Sequence, residues 1–270
     1  GAATAFAGCL GDDESGAMLR AELTAAGVGL ELVRTTATPT GTAIICVDDS
    51  GENAITVAPS ANAELVLDGA ALDAARAAAV VLLQLEIPLP VVREAARAGR
   101  FVVLNAAPAA PLDDDLLADV DLLVVNEHEA TVVSGLATGA DADAAAASVP
   151  DAASVSASVS VSGEASASVL AAGTVLLRRV PAVVVTLGGD GALVLRRDAE
   201  PVQLPGHAVP VVDTTGAGDT FCGVLAATLA GGADLPAAVR RANAAAALSV
   251  GTPGAMTSVP SASAIDALFA

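Results

Sequence analysis

The chain has 270 residues, 54% of them hydrophobic, with four Phe and no Trp or Tyr, so a single large core must be built from Ala, Val and Leu, whose small size favours close layers of helix on sheet. Its 31 acidic residues against 12 basic ones, all Arg, give a net charge of -19, which argues against nucleic-acid and membrane partners because such a surface repels phosphate backbones and anionic lipid. Cys9, Cys46 and Cys222 form no CxxC pair, which argues against a disulfide framework or a zinc site and points to the cytoplasm. No apolar run is long enough to span a bilayer, and no basic-then-apolar signal segment opens the chain.

In chain order, the sequence opens at Gly1, without Met, on what reads as a strand already under way, followed by a helical pattern from Asp13 to Ala26. Two strand-like runs, Thr42 to Val47 and Ala54 to Ala58, flank a polar turn and predict a β-hairpin over residues 38–59. It is either an ornamental excursion or a lid that excludes water from an active site. Short apolar runs then recur at Val80 to Leu85, Phe101 to Leu104, Leu122 to Val125 and Ala182 to Leu187, with helices near Val91 to Ala98 and Leu235 to Leu248. Runs that are apolar without alternation are buried on both faces, the mark of a parallel sheet, so the fold class is α/β with a doubly wound, mostly parallel sheet. Residues 148–169, rich in Ser, Ala and Val, are of low complexity and read as a mobile surface loop rather than an extra strand. The whole of 1–270 reads as one domain.

The segment with the most chemical content is Val209 to Leu229, VPVVDTTGAGDTFCGVLAATL: a short strand, a glycine-rich turn, then an amphipathic helix. Gly216, Ala217 and Gly218 let the backbone approach a phosphate, and the helix's unpaired N–H groups favour negative charge there. Asp219 falls in the first helical turn. It is either an ordinary helix-start acid or a base aimed at a hydroxyl that attacks a bound phosphate. Phosphoryl transfer is loose, so such a base need only orient the hydroxyl and accept its proton late.

DTTGAGDTF closely resembles the C-terminal signature of the ribokinase-like carbohydrate kinases. PTGTAIICVDDSGENAITVAPSAN (Pro39 to Asn62), NEHE (Asn126 to Glu129), TLGGDGA (Thr186 to Ala192) and ANAAAALSVGTPGAMTSVP (Ala242 to Pro260) resemble further segments of that family, in the family's order. The resemblance covers nearly the whole chain outside residues 148–169. It implies a three-layer α/β/α sandwich with a small β lid, and ATP-dependent transfer of the γ-phosphate to a primary hydroxyl of ribose or a near relative. Fructose, ketodeoxy acids and nucleosides are the other substrates handled on this fold. Asp219 is then the base, and Gly216, Ala217 and Gly218 the anion hole. Asn126 and Glu129 match the NxxE motif that works on the phosphates and Mg2+, and a carboxylate suits a hard cation retained through water. As a plain helix start, the same residues are an N-cap with an acidic first turn.

Thr186, Gly188 and Gly191 match nucleotide-binding positions, although the glycines are equally tight-turn chemistry. Asn243 matches a position beside the adenine. Glu86 matches one near the sugar, or is a solvated strand-end carboxylate. Asp213, Thr215, Ser249, Thr252, Gly254 and Ser258 match a monovalent-cation site whose oxygen-only donors suit K+. The hairpin matches the family's lid, which often pairs with a second copy, implying a homodimer, and its GEN turn resembles the ribose-phosphorylating members.

The sequence departs from the family at its start, where neither the NxD strand nor the GGKGxN loop that hold the sugar is present, and it contains no Lys. The first sheet strand is expected to be absent with them. Two readings follow: an N-terminally truncated sugar kinase, or a non-catalytic nucleotide-binding protein of the same fold. A dinucleotide-binding dehydrogenase is disfavoured because no GxGxxG follows a first strand.

Overall fold

The computed structural model describes residues 2–47, 53–136, 165–197 and 199–269. The chain divides into two compact units, one of Ala3–Ala78 with Leu85–Ala98, the other chiefly of Ala79–Gln84 and Gly99–Ala270. The residue pattern gave no signal of this division.

In the first unit, β1 (Gly8–Gly11) pairs in parallel with β2 (Val33–Thr36) across the helix α1 (Glu14–Ala25). Asp13 caps α1, accepting from Gly16 N at 2.8 Å, and the same carboxylate accepts from Thr40 N and Thr40 Oγ1, each at 2.7 Å. Glu64 accepts from the hydroxyls of Thr36 and Thr38. Two carboxylates therefore fasten the strap that leads from β2 into the expected hairpin. The hairpin is formed by β3 (Thr42–Val47) and β4 (Asn53–Ala58), in register from Thr42↔Ala58 to Val47↔Asn53. Helix α2 (Gly69–Ala77) is capped by Asp68, and α3 (Leu89–Ala98) buries Val91, Val92, Ala95 and Ala96. Cys9, Ala61, Leu65 and Val91 form this unit's core.

In the second unit the expected apolar runs become β5 (Val81–Leu83), β6 (Val102–Asn105), β7 (Leu122–Asn126) and β8 (Ala182–Thr186), hydrogen-bonded in parallel in that order. The sheet continues antiparallel through β9 (Ala192–Arg196) and β10 (Ala199–Leu204), giving six strands in the order β10-β9-β8-β7-β6-β5. Among the described residues the helices of this unit are α4 (Asp114–Leu117), α5 (Glu127–Ser134), α6 (Ala165–Leu177), α7 (Ala217–Ala230), α8 (Leu235–Ser249) and α9 (Ala262–Asp266).

Strand alternation sends Val124, Val184 and Val194 to one face, where they pack with Phe221, Cys222 and Leu225 of α7 and Ala238, Val239 and Ala242 of α8. On the opposite face α5 and α6 cover the sheet; Gly173 of α6 sits so close to Leu195 that a Cβ there would lie 2.9 Å from its Cδ1. Helices on both faces make the sheet doubly wound, as expected.

Two local expectations fail. Val209–Val212 forms no strand: Val212 N donates to Val250 O at 2.7 Å at the end of α8 and, among the described residues, no strand pairs with it; Val211 and Val212 are exposed. The end of the low-complexity stretch, residues 165–169, is helix rather than loop, because Val169 and Leu170 are buried and anchor the first turns of α6. Residues 148–164 and the hairpin turn 48–52 lie outside the described residues.

Candidate active site

The parallel strands end on one side of the sheet, where side chains at their C-terminal ends meet the turns that follow. Asn105 ends β6, Asn126 ends β7 and Thr186 ends β8. With Glu129, Gly216, Gly218, Asp219 and Cys222 they line a pocket of about 150 Å³. The structure thus gathers Asn126, Glu129, Thr186, Gly216, Gly218 and Asp219, all singled out from sequence, at one place. Val124 and Val125 of β7 also line it, as do Asn105, Ala107 and Cys222, which were not foreseen.

Gly216 is the N-cap of α7 with φ 75°, a left-handed conformation that favours glycine, and no side chain caps this helix. Ala217 N donates to Thr214 O at 3.2 Å and Thr220 N to Gly216 O at 2.9 Å. The N–H groups of Gly218 and Asp219 are left without a side-chain cap at the positive end of a 14-residue helix. Asp219 is exposed in the first turn.

Asn126 and Glu129 make a reciprocal capping box: Asn126 Oδ1 accepts from Glu129 N at 2.8 Å, and Glu129 Oε2 accepts from Asn126 N at 2.7 Å. The NxxE spacing therefore has a structural role at the start of α5, whatever else it does. Glu129 is nonetheless buried, and loss of water pushes its carboxyl above the usual carboxylate range, against the Asn126 N–H and His128, which pull it down. The Cys222 thiol is pushed up to about 12, first by burial and then by the Asp219 and Glu129 carboxylates. It is a protonated, inert wall of the pocket.

The residues expected around a monovalent cation lie at the end of α8 and on the two loops that Asp213 ties together. Its Oδ1 accepts from Thr215 N at 2.9 Å and its Oδ2 from Gly254 N at 2.8 Å. These bonds, the Gly254 N–H first, hold its carboxyl below the usual range. Ser249 and Ser258 are buried and donate to Ala246 O and Ala255 O at 2.8 and 2.9 Å, and Thr252 N donates to Ser249 O at 3.2 Å.

Gly188 and Gly191 bracket the turn between β8 and β9, with φ 54° and 92°. A Cβ on Gly191 would meet Leu204 O and Gly206 N and lie 2.5 Å from the Pro205 carbonyl carbon. Buried Asn243 donates from Nδ2 to Leu204 O at 3.1 Å and to Pro205 O at 3.2 Å. Gly191 and Asn243 thus clasp the same segment, 204–206, and neither lines the pocket. Glu86 lies in the other unit, exposed in the bend between β5 and α3.

Among the described residues no group of three or more His, Cys, Asp or Glu is placed to ligate a metal, and no helix is long and apolar enough to cross a membrane. The pocket's side-chain donors are oxygens of Asn105, Asn126, Glu129, Thr186 and Asp219, a hard set that suits a cation keeping most of its own waters.

A doubly wound sheet whose strand ends face a glycine-rich, uncapped helix start is an arrangement suited to holding an anionic group such as a phosphate. Residues 1–262 match the pfkB family carbohydrate kinases, and the chain belongs to that family. It is 34% identical over 268 residues to the ribokinase of Haemophilus influenzae, a match covering 96% of this chain and 79% of that one. The ribokinase of Thermotoga maritima superposes with a TM-score of 0.79 at 29% identity, over 98% of this chain and 80% of that one. The Arabidopsis thaliana ribokinase complexed with ribose and ATP does so with 0.78 at 30%, over 98% and 81%.

Proposed function

We propose that the chain is a ribokinase, transferring the γ-phosphate of ATP to the primary hydroxyl of D-ribose. The observation that carries this reading is the position of Asp219, in the first turn of α7, on the same pocket as the uncapped helix start and the Asn126–Glu129 box. Its support comes also from relatives that are ribokinases, one of them complexed with ribose and ATP.

Asp219 orients the ribose hydroxyl and takes its proton as the bond to phosphorus forms; the leaving oxygen stays on ADP. Gly216, Ala217 and Gly218 bring backbone close to the transferred phosphoryl, whose growing charge is met by first-turn N–H groups at the positive end of α7. Thr186, Gly188, Gly191 and Asn243 hold the nucleotide, the last two by fixing segment 204–206. Glu86 holds the sugar.

Glu129, with Asn126, would hold Mg2+ through water, and the ion when bound neutralises phosphate charge. Burial of an ionisable Glu129 carboxyl is easier to understand with a cation nearby. Asp213, Thr215, Ser249, Thr252, Gly254 and Ser258 would hold K+, which adds positive charge behind the anion-binding turn. The hairpin of β3 and β4, which resembles the family's lid, pairs two copies into a homodimer in the cytoplasm.

The test is ATP-dependent phosphorylation of D-ribose, fructose and a nucleoside, with and without K+, by the wild-type chain and Asp219→Ala. Preference for ribose, stimulation by K+ and loss of transfer in the variant support the reading. A preferred acceptor other than ribose, or unchanged turnover in the variant, contradicts it.

A further inference from the structure

The stretch leaving β10 is thinly held. Leu204 ends the strand, and among the described residues no backbone N–H from Gly206 to Val211 donates to another backbone group. Asn243 fixes the start of the stretch through Leu204 O and Pro205 O, and Val212 N fixes its far end on Val250 O. Between these points stands half-buried His207, whose ring meets that of Phe269 with centroids 6.3 Å apart and planes at 85°. A right-angled approach is a favoured geometry for two aromatic rings.

An exposed aromatic needs no special account by itself, and Phe269 is 53% exposed. Its placement is what carries information. Ile265 of α9 is buried against Ala244 and Ala245 of α8, and Asp266 pairs with Arg241 of α8. The turn after α9 is closed by Leu268 N on Ile265 O and Phe269 N on Asp266 O, each at 3.0 Å. Residues 241–245 of α8 thus hold both sides of the ring contact: Asn243 the carbonyls just before His207, its neighbours the helix that leads to Phe269.

We infer that Phe269 is a positioning residue for the nucleotide. The turn after α9 is a strap that fixes His207, and through it the middle of a segment that has no backbone ladder of its own. The inference rests on the reading of segment 204–206 as part of the nucleotide site. Phe269 touches no reacting group. Loosening it weakens ATP binding and leaves the chemical step alone, because Asp219 and the start of α7 are held by other contacts.

The test uses the full chain as wild type, Phe269→Ala, Phe269→Leu, Phe269→Tyr, His207→Ala and the double variant His207→Ala/Phe269→Ala. Backbone nitrogen relaxation reads the order of residues 206–211, calorimetry reads ATP affinity, and initial rates separate KM from kcat. Phe269→Ala and Phe269→Leu are expected to lower the order parameters at His207 and Ala208 and to weaken ATP binding about two- to tenfold at unchanged kcat. Phe269→Tyr, which keeps the ring, restores both, and Phe269→Ala adds nothing once His207 is Ala. Unchanged order or affinity in Phe269→Ala, full function in Phe269→Leu, or an equal loss without His207 overturns the inference. A wild-type chain that binds no ATP overturns the reading of the nucleotide site and this inference with it, whereas ATP binding that Phe269→Ala leaves unaltered overturns this inference alone.

Discussion

Replacing Gly191 by Ala tests how closely the β8–β9 turn is packed against the segment leaving β10. Residue 191 has φ 92°, so any L side chain there is strained by about 1–2 kcal/mol. The added Cβ would also fall against Leu204 O and Gly206 N and 2.5 Å from the Pro205 carbonyl carbon. Ordinary carbon contacts are about 3.5–4.0 Å, so the 204–206 segment must retreat by roughly 1 Å. Overpacking of this kind costs about 1–3 kcal/mol. The two terms together give roughly 2–5 kcal/mol, which for a chain of this size lowers Tm by roughly 4–20 °C. Because Asn243 holds the same segment through Leu204 O and Pro205 O, the displacement is also expected to raise the KM for ATP more than it lowers kcat. Far-UV circular dichroism melts and initial rates measure both. A Tm change under about 2 °C together with an unaltered KM would refute the argument, since the segment would then not press on residue 191.

Glu129→Gln keeps an acceptor for Asn126 N but removes a desolvated charge, so stability at neutral pH is expected to hold or rise while the Mg2+ concentration for half-maximal turnover increases; calorimetry and rate titrations check this. Asn126→Ala removes the cap of α5 and is expected to cost about 0.5–2 kcal/mol, read from denaturant unfolding. Asp13, Glu64 and Asp213 are all held below their ordinary values by hydrogen bonds. Their contribution is therefore present above the ordinary carboxylate range near pH 4 and lost as pH falls through the lowered values, so melts at falling pH should show a steep loss there. Cys222, pushed up to about 12, has on the order of a thousandfold less thiolate at pH 8 than a free Cys, and iodoacetamide followed by mass spectrometry should label it only after unfolding.

Strands β6, β7 and β8 were legible because they are unbroken apolar runs buried on both faces, as VVL in β6 and LLVV in β7 show. The opening segment reads as a strand and becomes β1, but β2 was not legible: VRTT carries no period that distinguishes it from a loop, and it becomes a strand by pairing with Gly8–Gly11. β10 was hidden by Pro201 and a register shift between Ala199 and Val202, both tolerable because the strand lies at the edge of the sheet. Val209–Val212 has the opposite problem: a strand-like sequence with, among the described residues, no neighbouring strand to pair with.

At the site, the glycine-rich helix start and the NxxE spacing are local signals, so Gly216, Gly218, Asp219, Asn126 and Glu129 could be picked out directly. Asn105 carried no motif. Its signal was positional, since it ends β6 as Asn126 ends β7, and only the strand order makes the two neighbours. Cys222 was visible as the residue after DTF, but its place between two carboxylates required the fold.

The measurement that bears most directly on the central claim is single-turnover phosphoryl transfer from ATP to ribose by Asp219→Asn, alongside calorimetric binding of ATP to the same variant. With Asp219 as the base, transfer falls about 10²–10⁴-fold while ATP affinity stays near that of wild type. Transfer within a few-fold of wild type would contradict the account and leave Asp219 as an ordinary helix-start acid.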